Sequence, residues 1–135
     1  MFEFTIRKED LLPPLLTVAG AVDKKQSLAI LSNFFLNLSD GLLQVTATDL
    51  EIEISAQITC DSRQSIGNIT VPAKKFIDII RSLDDEASPN ILVNNALLII
   101  KQGRSSFKLA TLPAEDYPLS EDECNDVELT LPRLV

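Results

Sequence analysis

The feature that most constrains this chain is an architectural unit that occurs twice and then begins a third time. Residues 2–6 alternate apolar and polar, as a half-buried strand does. A helical segment follows, with Leu11, Leu12, Leu15, Val18, Ala19 and Val22 at spacings of three and four, ending near Gly20. Asp10 suits its N-cap. Pro13 and Pro14 fit only a helix that starts late or has a distorted first turn, because an interior proline removes a backbone bond and clashes. Three strands complete the unit, over residues 33–39, 42–48 and 51–58. The first two are joined by Asp40-Gly41, a dipeptide suited to a type I′ hairpin.

The second copy has a strand over residues 68–71, and Pro72 is placed to start a helix. That helix carries an apolar stripe of Phe76, Ile79, Ile80 and Leu83. After Ser88-Pro89-Asn90 come short strands over residues 91–93, 96–101 and 104–110, separated by Asn94-Asn95 and Gln102-Gly103. Two β-α-β-β-β units in one chain make an internal repeat of architecture, with weak residue identity between the copies. Val127, Leu129 and Leu131 then alternate ahead of Pro132 and Arg133, much as Ile69 and Val71 precede Pro72 and Lys74. The expected organisation is therefore a first domain over 1–118, an acidic connector over 119–126 and a truncated start of a second domain over 127–135. The fold class is α+β, with two helices packed on antiparallel sheets.

Composition narrows the function. The chain has 135 residues, enough for one domain, and no histidine. Ser-His-Asp and Cys-His catalysis and His-containing zinc sites are therefore excluded. No GxGxxG or GxxxxGK[ST] loop is present to cradle phosphates, so no cofactor is expected. With six Phe, one Tyr and no Trp, base-stacking platforms are poorly supplied. Cys60 and Cys124 stand apart, with no CxxC, which reads as two reduced cysteines of a cytoplasmic protein. The start, MFEFTIRKED, lacks the apolar core of a secretory signal, and no apolar run is long enough to span a membrane.

The net charge of −8 is unevenly placed. Between Leu112 and Val135 lie seven acidic residues and a single base, Arg133. The remainder is close to neutral, so a local basic face is possible. Lys74, Asp78 and Arg81 are spaced four and three apart and share a helix face, with Lys75 beside them. Asp23-Lys24-Lys25-Gln26 forms a basic loop after the first helix. If a local pseudo-twofold relates the two units, the helices lie side by side and Lys24, Lys25, Lys74 and Arg81 line a common face. A charged helix face is more often merely solvated, so spacing alone does not make a nucleic-acid site. Asp49, Glu51 and Glu53 would form a carboxylate row on one strand face, too widely spaced at ~6.8 Å to share one Mg²⁺. No metal site is expected.

Several stretches carry a resemblance. TDLEIEI (residues 48–54), VPAKKFIDIIRSL (71–83) and GRSSFKLATLPAEDYP (103–118) resemble the first domain of the bacterial DNA sliding clamp, the beta subunit of DNA polymerase III. FTIRKEDLLPPL and AILSNFFLNLSDGLLQVTATDL are similar to the same family, and VELTLPRLV resembles the start of its second domain. The resemblance implies a DNA-clamp fold and a non-catalytic processivity factor. It implies a subunit of three such domains, two subunits closing head-to-tail into a homodimer ring around double-stranded DNA, helices inward and sheets outward. Polymerase III core and clamp loader would bind through later domains. By similarity Lys25, Lys74 and Arg81 match basic positions facing DNA. Lys75 and Arg104 match cations of the subunit joint, and Phe107 and Leu109 match its apolar part. The family often has Arg where this chain has Ser106 and a cation where it has Leu97. Those departures imply a joint weaker in ion pairs, or one leaning more on apolar contact. Pro13 replaces a polar, often basic, residue. The alternatives to a clamp are a protein-interaction module using the edge strand 104–110, or a carboxylate metal enzyme using Asp49, Glu51 and Glu53.

Overall fold

Among the described residues eight strands and two α-helices run in the order expected of a duplicated unit, with the first strands exchanged between the copies in a way that periodicity does not specify. The computed structural model describes residues 2–22, 29–62 and 65–118. The first copy comprises β1 (Phe2–Thr5), α1 (Lys8–Val18), β2 (Asn33–Ser39), β3 (Leu42–Thr48) and β4 (Glu53–Thr59). The second comprises β5 (Gly67–Pro72), α2 (Ala73–Ser82), β6 (Asn90–Asn94), β7 (Leu97–Gln102) and β8 (Ser105–Ala110). The connector over 119–126 and the segment 127–135 lie outside the described residues.

Each copy gives its first strand to the other copy's sheet. One antiparallel sheet has the order β1-β6-β7-β8 and the other β4-β3-β2-β5. The joins at the two ends match. Thr5 exchanges backbone hydrogen bonds with Asp61, just after β4 (2.8 and 3.0 Å), and Thr70 exchanges them with Leu112, just after β8 (3.0 and 3.1 Å). The repeat therefore folds as one interlocked body, and neither copy owns a complete sheet.

Register explains the core. In the first sheet Phe2 faces Val93 and Phe4 faces Ile91, and these continue through Leu98 and Ile100 to Leu109 and Phe107. Every one of these side chains but Phe107 is buried, and Phe107 is half-buried at the sheet edge. In the second sheet Phe34, Leu36 and Leu38 of β2 and Leu43, Val45 and Ala47 of β3 are all fully buried. Cross-strand pairing thus aligns apolar residues on one face of each sheet, where the helices cover them. α1 packs on β3 and β4, α2 packs on β2, β5 and β8, and the two helices pack on each other.

Local chemistry accounts for the turns. Asp40 and Gly41 both have positive φ (50° and 77°), as the two-residue turn between β2 and β3 requires. Where the two copies interlock, a Cβ on Gly67 would run into the Phe2 ring. Gly67→Ala is expected to lower stability by about 1–3 kcal/mol through this overpacking, read as a lower urea midpoint; an unchanged midpoint would mean that the Phe2 ring yields freely.

Several local expectations are corrected. α1 begins at Lys8 with Arg7 as N-cap, so Asp10 lies inside the helix and Pro13 and Pro14 are interior. Burial of Leu11, Leu15 and Val18 outweighs the lost bonds, and Glu9 and Asp10, whose carbonyls lack partners because of the prolines, are exposed residues. The α-helix stops at Val18 and a short 3-10 turn covers Ala19–Ala21, short of Val22. The third strand starts at Glu53, not residue 51. α2 buries Ile77 more deeply than Ile79, which is half-buried. Asn94 belongs to β6, and Arg104 sits in the β7–β8 turn rather than on β8. No helix among the described residues is long and apolar enough to cross a membrane.

Candidate nucleic-acid interface

The candidate site is built on α2. Pro72 caps it with φ −57°, a conformation that proline holds without entropic cost. Ala73, Phe76, Ile77 and Ile80 are buried beneath it, which turns Lys74, Lys75, Asp78 and Arg81 to solvent. Lys74 and Arg81 are seven residues apart, about two turns, so they stand in one stripe roughly 10 Å long. Lys75 is rotated by about 100° from Lys74, toward the opposite flank with Ile79. The helix therefore carries two separate cationic flanks.

The Lys74 ammonium lies 3.2 Å from Asp78 Oδ2, but its side chain is 87% exposed. An exposed i,i+4 pair of this kind contributes only about 0.3–0.5 kcal/mol and leaves the lysine able to engage a phosphate. Arg81 lies in the last turn, where its charge complements the negative end of the helix dipole. The solvent side of α1 differs. It presents Pro13, Leu16 and Thr17, and Arg7 is drawn into pairs with Glu9 and Asp10, both at 3.0 Å. Lys24 and Lys25 lie outside the described residues.

Of the residues expected at a subunit joint, Lys75 lies on α2, Arg104 in the β7–β8 turn, and Phe107 and Leu109 on β8. Phe107 and Leu109 share the inward face of β8, which among the described residues pairs only with β7 and leaves its other edge open. Leu109 is buried in the domain's own core, and Phe107 is half-buried. Leu109 thus serves the core first, and Phe107 is the more available of the two. Arg104 and Ser106 are exposed, as is Leu97 at 40%.

The carboxylate row does not form. Asp49 Oδ1 accepts the backbone N–H groups of Glu51 and Ile52 (2.9 and 3.0 Å), so Asp49 holds a turn, and only Glu53 of the three lies on the strand. Among the described residues no group of three His, Cys, Asp or Glu is gathered as a cation site. Cys60 is half-buried, and burial, aided by Asp61, pushes its thiol up to about 11. It stays protonated near neutral pH and is a poor nucleophile.

Spacing did not single out two residues that organise this region. Lys8 is buried, and its ammonium donates to the carbonyls of Leu83 (2.6 Å) and Arg81 (3.1 Å) and to Asp85 Oδ1 (3.2 Å). It ties the start of α1 to the end of α2. The signal was there to read: Lys8, Leu11, Leu15 and Val18 are spaced three, four and three, which puts a lysine on the buried stripe. Tyr117 is the other. It stacks on Phe35 with ring centroids 5.7 Å apart, and its hydroxyl accepts the N–H of Thr48 (3.0 Å) and donates to the Asn33 carbonyl (3.4 Å). Burial pushes that hydroxyl up to about 12.

With this geometry in view, known proteins supply the context. Residues 2–121 match the family model described as DNA polymerase III beta subunit, N-terminal domain. A beta sliding clamp of Vibrio harveyi is 41% identical over 129 residues, covering 96% of this chain and 89% of that sequence. That of Vibrio cholerae is 42% identical, covering 96% of this chain and 35% of its own length. The crystal structure of a sliding clamp from Pseudomonas aeruginosa superposes with a TM-score of 0.84 at 43% identity, over 89% of this chain and 32% of that one. Beside these last two, the chain spans about a third of the relative's length.

Proposed function

Because this chain belongs to the DNA polymerase III beta subunit family, through that family's N-terminal domain, we propose that it is the first domain of a non-catalytic ring subunit that encircles duplex DNA. In this reading residues 1–118 form the domain, 119–126 connect it onward and 127–135 begin the next. The ring holds two subunits, works in the cytoplasm and meets polymerase III core and clamp loader through later domains. Lys24, Lys25, Lys74 and Arg81 face the duplex. Lys75, Arg104, Phe107 and Leu109 face the neighbouring subunit, with Phe107 and the open β8 edge foremost.

The observation that carries this reading is the Lys74–Arg81 stripe, exposed on the helical side of a domain whose other side is sheet. The physics suits a sliding device. A closed ring retains DNA by topology, so its contacts need only be few and directed at phosphates, which are alike at every base pair. Lys and Arg supply such sequence-independent, salt-sensitive attraction, and the acidic surplus elsewhere limits adhesion. Specific base contacts would instead create barriers to movement.

The test is topological. A full-length subunit carrying this domain, loaded on circular duplex, is expected to stay bound until the circle is cut and then to run off the ends. Release at the same rate from intact and cut circles would rule out encirclement.

A further inference from the structure

Where the two sheets interlock, the side away from the helices holds a polar cleft. Thr5 pairs with Asn90 on one flank and with Asp61 on the other. Laterally paired residues put their side chains on one face of a sheet, so Asp61, Thr5 and Asn90 stand in a row. Glu3 shares that face, because Phe2 and Phe4 on either side of it are buried in the core. Together with Ser62 and Ser65 these side chains line a cleft of about 210 Å³.

The chemistry of the cleft is one-sided. Glu3 and Asp61 are exposed at its mouth and take part in no ion pair among the described residues. Asn90 Nδ2 donates to Thr5 Oγ1 (3.1 Å), which leaves Asn90 Oδ1 as an acceptor. Ser62 is the telling group. It is only 4% exposed, it lines the cleft, and its hydroxyl makes no hydrogen bond among the described residues. A buried hydroxyl without a partner is unfavourable, and a ligand group that reaches it removes that cost.

Size and spacing select the ligand. A bare divalent ion needs several oxygens to converge on it at about 2.0–2.6 Å. This cleft is far larger than the ~30 Å³ share of one water. Glu3 and Asp61 lie on a cross-strand diagonal, where neighbours are about 7–8 Å apart. A guanidinium suits that arrangement. It is planar and always charged, and its N–H groups on opposite edges reach both carboxylates while its tip meets Ser62. An ammonium is a compact point charge and spans less.

We propose that this cleft recognises an arginine side chain of a partner protein, with Glu3 and Asp61 as the paired carboxylates and Ser62 as the acceptor at its floor. The site lies opposite the helices and involves no DNA, so it stands or falls separately from the encirclement reading.

The test titrates the intact, amide-labelled chain with acetyl-Gly-Arg-Gly-amide and follows the backbone signals of Thr5, Asp61, Ser62 and Asn90. Saturable shifts centred on those residues are expected. The same peptide with citrulline for arginine, similar in shape but uncharged, should bind about tenfold more weakly. Glu3→Gln with Asp61→Asn should weaken binding by about tenfold and Ser62→Ala by about threefold, each with the urea midpoint retained. No saturable shift, or equal binding of the arginine and citrulline peptides, would overturn the proposal. So would shifts produced by calcium ion and not by the arginine peptide, which would assign the cleft to a metal. Binding that appears only once Arg63 is replaced by alanine would overturn it too, assigning the cleft to the chain's own side chain.

Discussion

Replacing Lys8 with methionine is expected to lower the unfolding free energy by about 2–4 kcal/mol, with the fold retained. Methionine keeps most of the aliphatic packing, so the loss isolates the ammonium. That group is buried, with a side chain only 9% exposed, and all three of its N–H donors have an acceptor. Its two carbonyl partners belong to Arg81 and Leu83 at the end of α2, where a helix leaves carbonyls without intrahelical donors. Removing the cation strands them and also removes a positive charge from the negative end of the helix dipole. Asp85, by contrast, is 99% exposed and keeps water in place of lysine. Asp85→Asn should therefore cost no more than about 0.5 kcal/mol. Urea unfolding of both variants checks this. Equal losses would show that the ion pair, rather than the carbonyl bracket, holds the helices together.

The second large effect is electrostatic. Glutamate at Lys25, Lys74 and Arg81 together, in a full-length subunit, is expected to reduce the slope of log affinity for duplex against log salt by about 2–3, since each phosphate contact contributes roughly 0.9. The deficit should be greatest at low salt and shrink as salt rises, because the lost term is counterion release. Stability should fall by no more than about 1–2 kcal/mol, the cost of the lost Lys74–Asp78 pair and of an acid at the helix C-terminus, because Lys74 and Arg81 are exposed and neither supports the core. Lys75→Glu is the control that uses the geometry of α2. It sits on the other flank of the same helix, so it should leave the DNA salt slope nearly unchanged and instead loosen ring closure, read by subunit exchange. A triple variant that loads, slides and responds to salt as the parent does would remove the assigned role of that stripe.

Much of this domain was readable in the residues. The β2–β3 hairpin followed from Asp40-Gly41, because few dipeptides accept two positive φ angles in succession. Phe76, Ile80 and Leu83 of the apolar face of α2 followed from spacing, and with them the exposure of Lys74 and Arg81, whereas the burial of Ile77 in place of Ile79 did not. Boundaries were less legible. α1 starts three residues before the local signals put it, because buried leucines and the Lys8 bracket hold a first turn that two interior prolines argue against. Asp49, Glu51 and Glu53 alternate in sequence but form no row, because Asp49 and Glu51 lie in a braced turn ahead of the strand.

What the sequence determined by itself was the unit and its repetition: which residues alternate, which recur at helical spacing, and where the chain reverses. Those are short-range properties, fixed by φ/ψ preference and by the need to put apolar side chains on one face. Only the tertiary structure decided that the copies exchange first strands, that Lys8 spans from one helix to the other, and that Tyr117 carries the chain across the sheet to Thr48. Each of these joins residues far apart in sequence, 69 between Thr48 and Tyr117 and 75 between Lys8 and Leu83. No local pattern encodes such a pairing; it is selected by which arrangement buries the apolar faces of both sheets while leaving the fewest backbone groups without partners.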